Sequence, residues 1–385
     1  MNNNDYLKYG IGIDMAKAKF DACIGVINCQ QSFTKLSSRQ FANTPKGFVE
    51  LIKWVKKQCK QPLPQLFVME ATGVYYENLA FHLNQQGEHV AVVLPNKAKK
   101  YKESLGLKSK NDSIDALGLS RMACEQALAL WKAPQAGIYA LRTLTRQIKN
   151  MATQITVASN QLEAVQYGMY TDKLVEKMLR QQIAFFKKQK ALLLKSLEQA
   201  IAADPVLSAK FEKIHIKGLG RLAVATVVAE TNGFELFHNS AQLVSYASYD
   251  VVENQSGSHR GKTKISKKGN SHIRHCLFFP ALNMVRYRVS PFVQLYERIY
   301  ERSRIKMKGY TAIQKKLLVM IYTLWKNDMA FDEQYHLKSI FADGEKAPSF
   351  GLENNPKAQK QVVPLKSRTT QDKHSPTGRS LPSFG

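Results

Sequence analysis

Four carboxylates occupy positions in this chain that the surrounding residues do not readily explain. Asp14 ends the apolar run GIGID, just before the turn MAKAK. Glu70 follows the apolar run LFVM directly and opens Glu-Ala-Thr-Gly. Asp112 and Asp115, within KNDSIDALGLSRMA, are spaced i,i+3 at an expected helix start, so both can face one side. A carboxylate at a strand end lies at the mouth of a sheet, where ligands collect in α/β folds. Four of them converging would repel one another unless cations neutralised them, and an all-oxygen set suits Mg²⁺, with Mn²⁺ as a substitute. Two such ions per site activate an attacking oxygen and stabilise a leaving one at phosphorus. Each acid also has an ordinary alternative, such as Asp112 as a helix N-cap and Asp115 as a partner of the helix dipole. The ordered set of strand–Asp, strand–Glu and helix–DxxD is what points to metal-assisted chemistry.

A second constellation lies far downstream, in ENQSGSHRGKTKISKKGN, residues 253–270. From Ser256 to Arg274 there are six Lys or Arg residues and no acidic one. Arg260, Lys262, Lys264, Lys267, Lys268 and Arg274 are suited to backbone phosphates, which fix position without reading sequence. In the ordinary reading, Ser256 and Ser258 are small loop residues among them. In the chemical reading, one serine hydroxyl attacks phosphorus and conserves the phosphodiester energy, so that strands rejoin without ATP. Such a hydroxyl needs a base or a metal. No His–Asp relay adjoins the loop, although His259 and His272 are close in sequence. Upstream, Gly218-Leu219-Gly220 in IKGLGRLAVAT resembles a helix–hairpin–helix, whose glycines let backbone N–H groups approach a phosphate at a helix N-terminus. A plain interhelical turn is its ordinary alternative.

The elements that must position these residues follow from periodicity and breakers. Residues 9–27 predict a strand, a tight turn and a second strand; LFVM (66–69) and HVAVVL (89–94) predict two more. Helices are expected in GFVELIKWVKKQ, in ATGVYYENLAFHLNQQG, and from about Asp112 onward, after a basic segment NKAKKYKESLGLKSK. This alternation defines an α/β domain, residues 1–135. Leu141, Leu144, Ile148, Met151, Ile155, Ala158, Leu162, Val165 and Met169 then recur at 3,4 spacing. They predict a long coiled-coil connector over 136–204, with Leu174 to Ile201 folding back as an antiparallel partner. A mostly α-helical domain is expected over 205–335. Residues 336–385 are rich in Pro, Ser, Lys and Gln, with little to bury, and read as a disordered tail.

Bulk composition sets the class of partner. The 385 residues carry 56 Lys+Arg against 30 Asp+Glu, a net charge of +26, which favours nucleic acid. The N-terminus MNNNDYLKYG lacks the apolar core of a signal peptide, and no apolar run approaches bilayer length, so a membrane partner is not expected. Five scattered cysteines without a CxxC pair argue against a zinc site or a disulfide framework and suit a cytoplasmic setting.

GIDMAK, VMEATGVYYENLA, KNDSIDALGLSRMA, IKGLGRLAVATVVAE and NQSGSHRGKTKISKKGNSHIRHCL occur in the order, and with the wording, of the DEDD transposases of the insertion-sequence 110 family. The QSG and ISKKGN stretches resemble its 1111 group, and the resemblance covers about residues 6–330. It implies a RuvC-like (RNase H fold) N-terminal domain, a coiled-coil connector and a C-terminal transposase domain. By motif, Asp14, Glu70, Asp112 and Asp115 match the metal-binding acids, and Ser256 matches the nucleophile. The resemblance further implies site-specific recombination of donor and target double-stranded DNA through a 5′-phosphoserine intermediate. It also implies guidance by a structured bridge RNA, a tetramer (dimer of dimers) with composite sites, and association with the nucleoid when bound. One departure is the approach to the serine, Tyr249-Asp250-Val251-Val252-Glu253, where many relatives carry Gly-Leu-x-Pro. A hydrolytic junction nuclease would need the acids without Ser256, and a DNA invertase would use the same scaffold. An actin-type ATPase would want a second glycine-rich phosphate loop, which is absent. A non-catalytic nucleic-acid-binding protein would fit the charge but not the four acids, which weaken phosphate binding unless metals occupy them.

Overall fold

The computed structural model describes residues 6–106, 112–252, 255–256, 259–261 and 264–332. β1 (Tyr6–Met15), β2 (Lys19–Asn28) and β3 (Phe33–Ala42) form an antiparallel meander. After α1 (Pro45–Gln58) comes β4 (Gln65–Glu70), and after α2 (Glu77–Gln85) comes β5 (Val90–Val93). Both late strands run parallel to β1, giving the order β3-β2-β1-β4-β5. Three antiparallel strands extended by two parallel ones are the RNase H arrangement that the motifs imply. β3 has no counterpart in the sequence reading. FTKLSSRQFA lies at the sheet edge with only Phe41 buried, so the ladder to β2 makes it a strand rather than an apolar period.

The two faces of β1 differ, because successive side chains alternate across a sheet. Tyr9, Ile11 and Ile13 join Phe67 and Met69 of β4 and the apolar faces of α1 and α2 in one core. Gly10 and Gly12 lie on the other face, beneath a helix introduced after α3 (Pro95–Ser104), namely α4 (Asp112–Glu125). A Cβ on Gly12 would collide with the backbone of Ala116 and Ser120, so the missing side chain sets how close α4 comes. Ser120 Oγ then donates to the Gly10 carbonyl at 2.8 Å. Val68, Ala91, Val93, Ala98, Leu119 and Met122 complete a smaller core on this side. The basic segment after β5 is itself helical, as α3, with Pro95 in its first turn.

α5 (Ala136–Gln166) and α6 (Lys173–Ala202) pack along one another as a helical hairpin, with Asp172 capping α6 through the Leu174 and Val175 amides. The 3,4 apolar pattern is buried near the base, at Leu141, Ile148 and Met151, and its last member, Met169, is exposed at the tip beside Tyr167 and Tyr170. At the base, Leu141, Leu197 and Ile201 belong to the core of the helical half. That half contains α7 (Pro205–Lys213), α8 (Arg221–Glu230) and α9 (Ser240–Tyr246), then the short strands β6 (Val251–Val252), β7 (Gln255–Ser256), β8 (His259–Arg260) and β9 (Lys264–Ile265). α10 (Ser271–Cys276), α11 (Phe278–Arg286), α12 (Phe292–Ser303) and α13 (Lys306–Lys326) follow, with Ile313, Leu317, Leu318 and Ile321 of α13 fully buried. α5 is tied to the sheet half through Glu77, which accepts from Arg142 Nη2 at 2.7 Å and from the Tyr139 hydroxyl at 2.8 Å. Among the described residues no helix is long and apolar enough to cross a membrane. Ser258, Lys262 and the 336–385 tail lie outside the described residues.

Candidate active site

The register of β1 on β4 ends with Ile13 opposite Met69, so Asp14 and Glu70 come next, side by side on neighbouring parallel strands. By alternation both belong to the face that carries Gly12 and Val68, the face under α4. The glycine-set approach of α4 delivers its first turn, with Asp112 and Asp115, to the same edge. Burial first, then the nearby Asp115 and Asp112, push the Asp14 carboxyl up to about 6, with Lys102 opposing them and Glu70 adding to the rise. The four acids expected from the sequence therefore share one electrostatic neighbourhood. Thr72 Oγ1 steadies Glu70 by donating to Oε1 at 3.1 Å.

Lys102 of α3 enters this cluster. Its Nζ lies 2.6 Å from Asp115 Oδ1 and 3.7 Å from Glu70 Oε2, and all three side chains are largely buried. The donor set fits a hard divalent cation: it is entirely carboxylate oxygen, burial and neighbouring carboxylates raise the pKa of one member, and an ammonium is already drawn between two others. As arranged here, no three His, Cys, Asp or Glu groups among the described residues stand at metal-ligand spacing. Lys102 takes the neutralising part instead.

Ser256 is built differently. β6 pairs with β9, and β7 with β8, so the chain runs out and back as a narrow hairpin with Ser256 opposite His259. The hairpin is anchored at its base. The Asn270 amide donates to the Tyr246 carbonyl at 2.8 Å, and the Gly269 amide to Ser248 Oγ. Arg274 donates to the carbonyls of Ala247, Gly269, Asn270 and Lys267, so its guanidinium holds the loop together rather than standing free for a phosphate. Lys264, Lys267 and Lys268 are exposed and have no ion-pair partner among the described residues, and Arg260 lies on β8. No hydrogen bond or ion pair among the described residues joins this hairpin to the acid cluster.

Beneath the hairpin sits a polar node that sequence reasoning missed. Glu230, at the end of α8, is buried and accepts from Arg146 Nε at 2.7 Å, Arg146 Nη2 at 2.9 Å and Asn270 Nδ2 at 2.7 Å. Burial alone would raise its pKa, but the bonds from Arg146 and Asn270 outweigh burial and hold it below the usual carboxylate range. Asn270 meanwhile caps α10 through the His272 and Ile273 amides. A glutamate closing the apolar run LAVATVVAE was the available signal. For Lys102 it was the i,i+4 spacing from Ala98, which places both on the sheet-facing side of α3.

The Gly218-Leu219-Gly220 turn joins α7 to α8. Gly218 has φ +89°, open only to glycine at little cost, and Gly220 is the N-cap of α8 without a side-chain cap. The first turn of α8 therefore has no side-chain acceptor on its leading amides.

Two family models match this architecture. One, described as "Transposase", matches residues 11–170, and the other, "Transposase IS116/IS110/IS902 family", matches residues 214–297. The first contains all four acids and the second contains Ser256 and both hairpin glycines. A pilin gene-inverting protein of Moraxella lacunata is 27% identical over 328 residues, covering 85% of this chain and 98% of the relative. Its Moraxella bovis counterpart matches to the same extent. Among solved structures, Thermus thermophilus RuvC aligns at 13% identity with a TM-score of 0.26 over 32% of this chain and 99% of that one. The same protein in complex with a Holliday junction substrate aligns at 13% with a TM-score of 0.24, covering 29% and 90%.

Proposed function

This chain belongs to the insertion-sequence 110 family of transposases, and on that premise we propose that it recombines DNA through a covalent bond to Ser256. The observation that carries the reading is the gathering of Asp14, Glu70, Asp112 and Asp115 at one sheet edge, in a chain that elsewhere presents a basic hairpin bearing Ser256. The Ser256 hydroxyl attacks a backbone phosphorus, its oxygen forms the new P–O bond, and the bond to the 3′ oxygen breaks. The serine proton leaves as the bond forms, and the departing 3′ oxygen takes one up. The 5′-phosphoserine then yields to the 3′ hydroxyl of another strand, which restores Ser256 and joins the strands. Lys264, Lys267 and Lys268 hold the backbone and offset charge on the phosphate in the transition state. Asp14, Glu70, Asp112 and Asp115 would hold Mg²⁺, which when bound supplies Lewis acidity at the phosphate oxygens. On the same reading, a complete centre brings the acids of one copy together with Ser256 of another.

The wider account follows the same premise. We place the catalytic half at 1–135, the connector at 136–204 and the serine-bearing half at 205–335. The exposed Tyr167, Met169 and Tyr170 at the connector tip offer contacts for the other copies of a tetramer. The charge of +26 suits donor and target DNA together with a structured guide RNA, in the cytoplasm and on the nucleoid. Inversion of a DNA segment, rather than its transfer, is a second reading, favoured by the relatives named for inverting a pilin gene.

Ser256→Ala should abolish strand exchange while leaving DNA affinity within about twofold, and D14N should do the same. Strand exchange surviving S256A would overturn the nucleophile assignment. Sites placed in direct and in inverted orientation on one plasmid separate transfer from inversion.

A further inference from the structure

Beside the root of the serine hairpin lies a cleft of about 400 Å³, formed where α5 and α6 meet the Gly218–Gly220 turn, α10 and α11. Its volume falls within the roughly 300–1,000 Å³ of small-molecule sites. Ile148, Leu222, Ala223 and Pro280 make an apolar interior, and Phe279 lines it while remaining 67% exposed. Lys149, Lys190, His272 and His275 also line it, and no Asp or Glu does. Arg146 is engaged by Glu230, whereas neither Lys149 nor Lys190 has a carboxylate partner among the described residues. Lys149 Nζ stands 3.5 Å from His272 Nδ1, and the carboxylate near enough to act on His272, Glu230, is already engaged by Arg146. The α8 N-terminus, capped only by Gly220, borders the same space.

An aromatic plate over an apolar interior suits a planar base, and lysines without a carboxylate partner beside an uncapped helix start suit a phosphate. An apolar peptide would satisfy the interior but leave these cations without a partner. We propose that this cleft binds one unstacked nucleotide of a DNA or RNA strand, its base against Phe279 and its phosphate towards Lys149, Lys190 and the start of α8. This inference rests on the nucleic-acid reading above and adds a role for the cleft. A base drawn out of its stack here would fix the strand beside the root of the hairpin that carries Ser256. The cleft shows no base-reading geometry, and stacking accepts any base, so it grips a strand without selecting sequence.

The test uses the full-length protein with two 20-residue single strands, one DNA carrying 5-iododeoxyuridine and one RNA carrying 5-iodouridine. After irradiation and digestion, adducts are located by mass spectrometry, and affinity is read by fluorescence anisotropy. The inference expects an adduct on Phe279 or on a 272–283 peptide, in the DNA arm or the RNA arm according to which strand the cleft serves. Phe279→Ala should lower affinity about tenfold and remove the adduct, with Phe279→Tyr restoring both. Lys190→Glu should weaken binding and make its loss with salt shallower. Strands that bind tightly with no adduct in 272–283 and no effect of F279A would overturn the cleft but not the nucleic-acid reading. Strands that fail to bind at all would overturn both.

Discussion

The acid cluster and the serine hairpin are held by different physics. The acids are carried by a sheet and a helix whose spacing is set by close packing, glycine against backbone, with two cores behind them. The hairpin consists of two-residue strands and is held at its base by side chains: Arg274 on four carbonyls, and Asn270 on Glu230. A packed core deforms little, whereas the bonds that hold the hairpin are gathered at its base. On the proposed reading, the packed region carries the metal ligands and the side-chain-anchored hairpin carries the nucleophile.

The largest predicted break is on the packed side. Gly12→Val would drive branched carbons into the backbone of Ala116 and Ser120 and should cost about 3 kcal/mol or more, read as a loss of melting temperature in the sheet half. Unchanged melting would mean that α4 does not rest on β1 as described. On the other side, Arg146→Met strands the buried Glu230 carboxylate and should cost about 3 kcal/mol. The double variant R146M/E230Q removes that charge and should recover part of the loss. Serine-hairpin amides should exchange faster in R146M while amides of β1 stay protected, and equal effects on both would erase the contrast between the two regions.

A pH experiment sharpens the comparison further. Folding raises the Asp14 pKa from 3.8 to about 6, chiefly through burial and then through Asp115 and Asp112. The protonated form is therefore favoured by the fold, so its stabilising contribution is complete below about pH 4 and is lost as pH rises through about 6. D14N, which is permanently neutral, should melt above wild type at pH 7.5, with the gap closing towards pH 4. Mg²⁺ should raise the wild-type melting temperature and leave D14N less affected.

The smallest expected change concerns Lys102. Its ammonium occupies the space between Asp115 and Glu70, so Lys102→Met should tighten Mn²⁺ binding a few-fold by calorimetry. Weaker binding in K102M would instead make the lysine a support for the cation site.

These two regions were also unequally legible. GIGID, LFVME and DSID placed each acid at its element end, because strand alternation and helix starts are local properties. The edge strand β3 was not legible, since its sequence is polar and only pairing with β2 orders it. α3 was hidden by its lysines, which read as a basic run, although Ala98 buries one face of it. The partners of Arg274 and Glu230 are set by tertiary folding: Arg274 looked like a phosphate ligand among six cations, and nothing local ties Glu230 to Arg146, 84 positions earlier.

The most direct test is a covalent trap. The protein is incubated with Mg²⁺, the proposed guide RNA and DNA bearing the element junction, quenched in detergent, and searched by mass spectrometry for a DNA-linked peptide. The account predicts a 5′-phosphate adduct on Ser256. An adduct on Ser258 would move the nucleophile by two residues, and cleaved DNA with no adduct would contradict serine recombination and leave metal-dependent hydrolysis.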